Sequence, residues 1–256
     1  MEWPQLRAEI SATTGRVGEL LRRVPAPDLP LARVSWTAAE TGAHLVTLAR
    51  RYRRMAQAPQ PLPASLAEDN QQALDALPER DPDTVADLLT ADVTTLLDTL
   101  GTDGRHRAWY FTLPHTAAGL GAIMLTELLM HGLDLARALR QPWPITRPQA
   151  AICLHGVLPA LVLLVEPAAA RTATGTYHLR LRGSADWTIR IHDATATVEP
   201  GRPGRADLHL SADPVAFLLH SYGHLGRTRI LLTGRLIAWG RRPWLAPRLD
   251  KTFTET

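Results

Sequence analysis

The stretch TELLMHGLDLARA, residues 126–138, belongs to the longest segment of helical periodicity in the chain. The apolar pattern extends back to Pro114 and forward to about Arg140, where two prolines follow and end it. Glu127 and His131 fall on the apolar stripe, which should face a core. An ionised carboxylate there is costly unless it is paired, hydrogen-bonded or bound to a metal. The stretch therefore predicts a long core helix with a polar pair on its inner face.

The sequence before this helix predicts three further helices. Apolar residues at helical spacing occupy residues 5–23, 36–55 and 83–100. Prolines in 24–32 and 59–63 interrupt the pattern, and a polar segment before the third helix has no clear period. Four helices with short to medium links are typical of a four-helix bundle.

The second half of the chain has a different pattern. A helix near 148–165 is followed by short runs of period two, which are typical of an antiparallel sheet. These runs are residues 177–181, 187–191, 196–198 and 206–210. A helix near 214–220 and an amphipathic run over 244–253 follow. We therefore predict an α+β protein of two domains, a helical bundle over 1–145 and a small sheet domain over 146–256.

Composition narrows the class of protein. The 256 residues are 45% apolar and 21% charged, which is typical of globular proteins. A single cysteine, Cys153, excludes a disulfide scaffold and a multi-cysteine metal cluster within one chain, and predicts a reduced, cytoplasmic protein. With a net charge of +3 and only 5% aromatic residues, a nucleic-acid groove is poorly supported.

Two further features concern membranes and source. Residues 1–24 mix charged and apolar positions, so they have no continuous signal-peptide core. The most apolar stretch, residues 150–165, is shorter than the roughly 20 residues of a membrane span. The sequence therefore predicts a soluble protein without a membrane partner.

Of the 28 lysines and arginines only Lys251 is a lysine, which indicates a GC-rich genome.

The polar pair of the long helix could bind a metal ion. Glu127 and His131 are four residues apart, so their side chains project together, and His44 lies in a row on one side of the second helix. Two histidines and one carboxylate with an open position are typical of a catalytic site for Zn²⁺ or another divalent first-row metal. Asp134 could orient His131 or contact a bound molecule. The residues alone leave two other interpretations open, an ordinary core histidine at position 44 and a buried hydrogen-bonded Glu–His pair.

Other candidate groups are weaker. Four arginines lie close together in the C-terminal part of the chain: Arg235, Arg241, Arg242 and Arg248. They are interpreted either as a solvated basic face or as a clamp that binds a substrate carboxylate. Cys153 lies in an apolar helix and is interpreted as a core thiol. The sequence has no nucleophile elbow, phosphate-binding loop or dinucleotide fingerprint.

Three segments resemble a known family. VSWTAAETGAHL, residues 34–45, resembles the Trp-Thr…His-Leu signature that opens the second helix of DinB-like metalloenzymes. Residues 126–138 resemble the Glu-x-x-x-His-Gly-x-Asp-Leu-Ala-Arg motif of the mycothiol-dependent maleylpyruvate isomerase family. ADPVAF at 212–217 and LTGRL at 232–236 are similar to that family's C-terminal, sterol-carrier-protein-like domain. The resemblance spans nearly the whole chain, with the motifs in the family's order.

The resemblance implies a DinB-like four-helix bundle followed by a sterol-carrier-protein-like α/β sandwich. It also implies a divalent ion, usually zinc, on His44, Glu127 and His131, and mycothiol as cofactor. Asp134 and Arg235 match positions that serve thiol or substrate binding in the family. Mycothiol is the low-molecular-weight thiol of actinobacteria, whose GC-rich genomes agree with the arginine bias.

The implied function is a metal-dependent enzyme that activates the thiol for attack on an electrophilic small molecule. Release of the adduct would make it a thiol S-transferase, whereas rotation and expulsion of the thiol would make it a cis–trans isomerase of the maleylpyruvate isomerase type. RLIAWGRRPW, residues 235–244, departs from the isomerase pattern and leaves the substrate open. The alternatives are a non-catalytic protein that binds a metal or a small apolar ligand, and a metal-dependent hydrolase.

Overall fold

The structure is a computed structural model that describes residues 2–249 and 251–253. The chain divides into two compact units, residues 1–145 and 146–256. The first unit is helical and the second combines helices with a sheet, so the predicted α+β class is confirmed.

The first unit is built on four packed helices. Its helices are α1 (Trp3–Leu21), α2 (Ala38–Gln57), α3 (Leu66–Asp75), α4 (Pro82–Leu100) and α5 (Ala117–Ala138). Helices α1, α2, α4 and α5 pack against one another through buried apolar faces, which gives the predicted four-helix bundle. A hairpin of β1 (Arg107–Tyr110) and β2 (Leu113–Thr116) precedes α5.

Two elements of this unit differ from the sequence-based expectation. Helix α3 lies in the polar segment, and because Leu74 is its only buried residue it has no apolar stripe to reveal it. The strands of the hairpin have four residues each, too few to show a period. The hairpin also displaces the start of α5 from Pro114 to Ala117.

Local contacts fix the ends of the two helices that carry the candidate ligands. Helix α2 begins with a capping box, in which the Thr37 N–H donates to Glu40 Oε2 at 2.8 Å and the Glu40 N–H donates to Thr37 Oγ1 at 3.3 Å. Helix α5 is capped by Thr116, whose Oγ1 accepts from the Gly119 N–H at 3.0 Å. These caps fix the start of each helix, and with it which side chains face the bundle core.

The second unit contains a five-stranded sheet and several helices. Its elements are α6 (Arg147–Ala160), α7 (Pro167–Thr172), β3 (Gly175–Leu181), β4 (Asp186–His192), β5 (Thr195–Pro200), β6 (Leu208–Ala212), α8 (Pro214–Ser221), α9 (Arg227–Leu232), β7 (Leu236–Gly240) and α10 (Ala246–Leu249). Short 3-10 turns occupy Leu161–Leu164 and Pro243–Leu245. The strand order is β5-β4-β3-β6-β7.

The sheet is mixed, because β3 and β6 run parallel while the other neighbouring strands are antiparallel. The sequence predicted an antiparallel sheet. Alternation of apolar and polar residues identifies a strand but does not show whether its neighbour runs parallel or antiparallel, so the parallel pair was not predicted. Strand β7 was not predicted, because its residues are partly or fully exposed and show no buried face. The predicted amphipathic run at 244–253 is a 3-10 turn followed by the short helix α10.

The two faces of the sheet differ sharply. Tyr177, Leu179 and Trp187 are almost fully buried on one face, and α6 and α7 pack against β4 and β5. Strand alternation puts His178 and Arg180 on the other face, which is rich in polar side chains. The part of the second unit's core that includes Tyr177 and Trp187 therefore lies on one side of the sheet.

Two helical segments, Ala117–Ala138 and Arg147–Leu164, have the length and composition of a membrane span. In the first, 72% of the most apolar window is buried within the protein, as expected for the core helix of a bundle, and in the second 39% is buried. Core helices of globular domains meet the same criteria of length and composition, so the two segments are weak evidence for a membrane.

Candidate metal centre

Helix α2 contributes His44, which lies two turns after the capping box. His44 is 3% exposed, and the centroid of its imidazole lies 4.4 Å from the centroid of the Trp36 ring. Burial lowers the pKa of His44 well below its ordinary value, and the neighbouring His131 and Arg51 lower it further. The imidazole is therefore neutral at pH 7, which is the form that binds metal ions.

Helix α5 contributes Glu127 and His131, one turn apart on the same face. Glu127 Oε2 lies 3.5 Å from His131 Nε2, and the two side chains are 17% and 14% exposed. The His131 ring meets the His44 ring edge-on at 5.1 Å between centroids. The pair is thus directed towards His44 while part of each side chain stays accessible to a small molecule.

The three side chains converge. One ligand atom from each of His44, Glu127 and His131 lies within 4.8 Å of the other two. Nδ1 of both histidines is buried without a hydrogen-bond partner among residues 2–249 and 251–253. Burying an unpaired polar atom costs about 1–3 kcal/mol, so the packing of the bundle alone does not account for these rings. Two imidazoles and one carboxylate are a donor set that Zn²⁺ and related ions accept, and the residues fit a divalent cation.

The two other predicted site residues lie in different places. Asp134 is on α5, one turn after His131, and is only 6% exposed. Burial raises the pKa of Asp134, while the neighbouring His131, Arg137 and Arg33 act in the opposite direction. Arg235 is exposed and lies in the second unit, between α9 and β7, where its carbonyl accepts from the Asp213 N–H at 2.7 Å.

Two side chains near the cluster were not predicted from the sequence. Arg51 is 7% exposed, binds Asn70 Oδ1 at 2.7 Å and pairs with Asp69, and its charge acts on His44. Tyr110 of β1 has its pKa raised by burial and, to a lesser extent, by the negative charge of Glu127. The surroundings of both side chains depend on elements that the hydrophobic periodicity did not reveal. Helix α3 supplies the partners of Arg51, and the hairpin carries Tyr110.

The fold and this cluster define a class of protein: a helical bundle with a His–Glu–His cluster, followed in the chain by a sheet domain. Residues 6–136, more than half of the chain, match the model of the family described as "Mycothiol maleylpyruvate isomerase N-terminal domain". The chain therefore belongs to this family, as the sequence motifs predicted. Residues 163–240 match the SCP-2 sterol transfer family.

Solved structures agree with this assignment of fold. The crystal structure of the mycothiol-dependent maleylpyruvate isomerase is similar, with 14% identity, a TM-score of 0.52, and coverage of 88% of this chain and 90% of that one. A histidine-to-alanine mutant of that enzyme gives 13% identity, a TM-score of 0.53 and 93% coverage of both chains. No curated protein matches the sequence significantly. At these identities the likeness establishes the fold alone.

Proposed function

We propose that the chain is a mycothiol-dependent enzyme of the cytoplasm that acts on an electrophilic small molecule with the help of a divalent ion, zinc in the first instance. The observation that carries this proposal is the convergence of His44, Glu127 and His131, with two buried imidazole nitrogens that no described residue satisfies. Family membership supplies the thiol, because the family is named after an enzyme that uses mycothiol.

The three residues would hold the ion between α2 and α5. When bound, such an ion supplies Lewis acidity that lowers the pKa of a thiol, so that the thiolate is available near neutral pH. His44 contributes a neutral nitrogen, and Glu127 contributes a negative charge that offsets part of the ion's charge. The ring of Trp36, 4.4 Å from His44 and 6.4 Å from His131, covers the imidazoles.

Asp134 and Arg235 are proposed to bind the thiol or the substrate. Asp134 is buried one turn beyond His131, so a polar group of the thiol could reach its carboxyl through a hydrogen bond. Arg235 presents an exposed guanidinium, which suits an anionic group on the electrophile. The same residues serve an S-transferase, which releases the adduct, and an isomerase, which expels the thiol after rotation about the former double bond.

Metal content of the purified protein tests the centre. Wild type prepared without added metal or chelator should carry about one equivalent of divalent metal, and His44→Ala and Glu127→Ala should lose it. His192→Ala is the matched control, because His192 is exposed on the sheet of the second unit. A wild type that is metal-free and takes up no zinc would overturn the centre and leave Glu127 and His131 as a structural pair.

Thiol dependence of turnover tests the reaction class. Maleylpyruvate and a panel of small electrophiles should be converted only in the presence of mycothiol, and the activity should disappear with His44→Ala. Asp134→Asn and Arg235→Gln should weaken apparent affinity for thiol or substrate by about tenfold while metal content stays at the wild-type level. Turnover that is indifferent to mycothiol would identify a hydrolase, and a metal-loaded protein without turnover would identify a binding protein.

A further inference from the structure

The polar face of the second unit's sheet carries a pocket that the proposed reaction does not use. Its volume is about 560 Å³. Its charged and aromatic lining comes from β3, β4, β6, β7 and the loop after β5: His178, Arg180, Asp186, Arg202, His209 and Trp239. This volume is within the range of small-molecule sites and suits a compound of one or two rings.

A series of hydrogen bonds centred on the buried His178 lines this pocket. His178, 4% exposed, lies 2.8 Å through Nε2 from Asp186 Oδ1 and 3.0 Å through Nδ1 from His209 Nδ1. A carboxylate can only accept, so Nε2 of His178 carries a proton. In the tautomer in which Nε2 of His178 carries its single proton, Nδ1 of His178 accepts from Nδ1–H of His209, and Nε2 of His209 keeps a lone pair. These hydrogen bonds thus fix the orientation of both imidazole rings and leave Nε2 of His209 available to a ligand.

One wall of the pocket is aromatic. The indole of Trp239 stacks on the His209 ring with 5.5 Å between centroids and an interplanar angle of 14°. Despite this contact Trp239 is 47% exposed. A large, rigid aromatic surface held in place by a fixed neighbour is a typical platform for a flat ligand.

The charged residues of the pocket are unbalanced. Arg180 and Arg202 are exposed, and neither guanidinium group forms a hydrogen bond or ion pair with any residue that the structure describes. Arg190 projects from the same face of the sheet but is already paired with Glu199 at 2.7 Å. Asp186 is the single carboxylate of the pocket lining and is engaged by His178. The pocket therefore presents two guanidinium groups without a protein partner.

The arrangement does not suit a metal ion. The two nitrogens of His178 point to different partners, so the donors form a chain instead of converging on one point. Among residues 2–249 and 251–253, three donor atoms converge only at His44, Glu127 and His131. An anion is the ligand that two unpaired arginines recognise.

We propose that this pocket binds an anionic small molecule with a flat apolar part, whose carboxylate or phosphate group contacts Arg180 and Arg202 and whose flat part lies against Trp239. When the His209 imidazole is neutral, its Nε2 would accept a hydrogen bond from a hydroxyl group of the ligand. This site goes beyond the proposed thiol chemistry and stands independently of it, because none of its residues belongs to the His44 cluster.

Calorimetric titration of the full chain with benzoate and with phenyl phosphate tests the proposal and distinguishes the two kinds of anion. At least one probe should bind saturably at millimolar concentration, and the neutral analogue benzamide should not. Arg180→Ala and Arg202→Ala should each weaken binding about tenfold, and Trp239→Ala should also weaken it. Arg190→Ala is the matched control: it removes a positive charge from the same face and should change the affinity by less than about twofold.

The outcomes separate this pocket from the metal centre. His44→Ala should leave probe binding intact, so that failure of the metal centre and failure of the anion site are distinguishable. The guanidinium groups of Arg180 and Arg202 form no hydrogen bond or ion pair within residues 2–249 and 251–253, so the variants should melt like wild type. Absence of saturable binding by both anions, equal losses with Arg190→Ala, or binding that survives both Arg180→Ala and Arg202→Ala would overturn the proposal.

Discussion

At the scale of single residues, Gly132 shows how closely α5 is packed. A Cβ at this position would lie 2.2 Å from Cζ2 of Trp143. The indole cannot move away easily, because its Nε1–H donates to the Leu129 carbonyl at 2.9 Å and Arg16 lies over its ring at 4.0 Å. Gly132→Ala should therefore lower the free energy of unfolding by about 1–3 kcal/mol, measured by chemical denaturation.

Gly15 provides the control for this prediction. It lies in the exposed part of α1, and a Cβ there would meet no atom within 4 Å. Gly15→Ala should raise the free energy of unfolding by about 0.5–1 kcal/mol, because alanine loses less conformational entropy in a helix. Equal effects of the two substitutions would contradict the argument from packing.

The candidate ligands were predictable because each lies on a long helix with a clear period. The spacing of Glu127 and His131 puts both on one face of α5, and the position of His44 in its row puts it on the inner side of α2. The roles of Arg51 and Tyr110 were not predictable. Their positions depend on side-chain partners from α3 and on a hairpin of four-residue strands, and neither leaves a hydrophobic period in the sequence.

At the scale of elements, Asp81 gives α4 a pH-dependent start. Its Oδ1 accepts from the Thr84 N–H at 2.9 Å and from the Thr84 hydroxyl at 2.8 Å, and these bonds lower the pKa of the carboxyl. The charged form is thus favoured by folding. The stabilisation is fully present above the ordinary pKa of an aspartate and is lost as the pH falls through the lowered one.

Asp81→Asn keeps a neutral cap acceptor and removes the charge. The melting temperature of wild type should exceed that of Asp81→Asn at pH 7, and the difference should shrink as the pH falls through the lowered pKa of Asp81. Asp28→Asn is the control, since Asp28 is exposed and makes no hydrogen bond or ion pair within the described part of the chain. A difference between wild type and Asp81→Asn that is constant with pH would show that the charge contributes nothing.

The sheet shows why one element was predicted well and another poorly. In β3 and β4 the alternation of buried and exposed residues is strong, because one face covers a core that includes Tyr177 and Trp187. Strand β7 lies at the edge of the sheet, with Ile237 and Trp239 about half exposed. An edge strand with little burial gives no period-two signal, so its pairing with β6 appears only in the structure.

At the scale of the whole molecule, we propose that residues 1–145 and 146–256 are separate domains. Each compact unit has its own buried core. Residues 141–146 connect the two units along the chain, form neither helix nor strand, and include Pro142 and Pro144. Thr146 then caps α6, with its N–H donating to Gln149 Oε1 at 2.7 Å and its Oγ1 accepting from the Gln149 N–H at 3.3 Å. A cut after residue 145 therefore removes no cap from the second unit.

Expressed separately, each part should melt cooperatively with the circular dichroism of its own class, helical for 1–145 and mixed for 146–256. The first part should take up about one equivalent of zinc and the second none, because His44, Glu127 and His131 all lie before the boundary. His44→Ala in the isolated first part is the control for the metal. If either part is unfolded alone but folds on mixing with the other, the cores depend on one another and the boundary does not separate two domains.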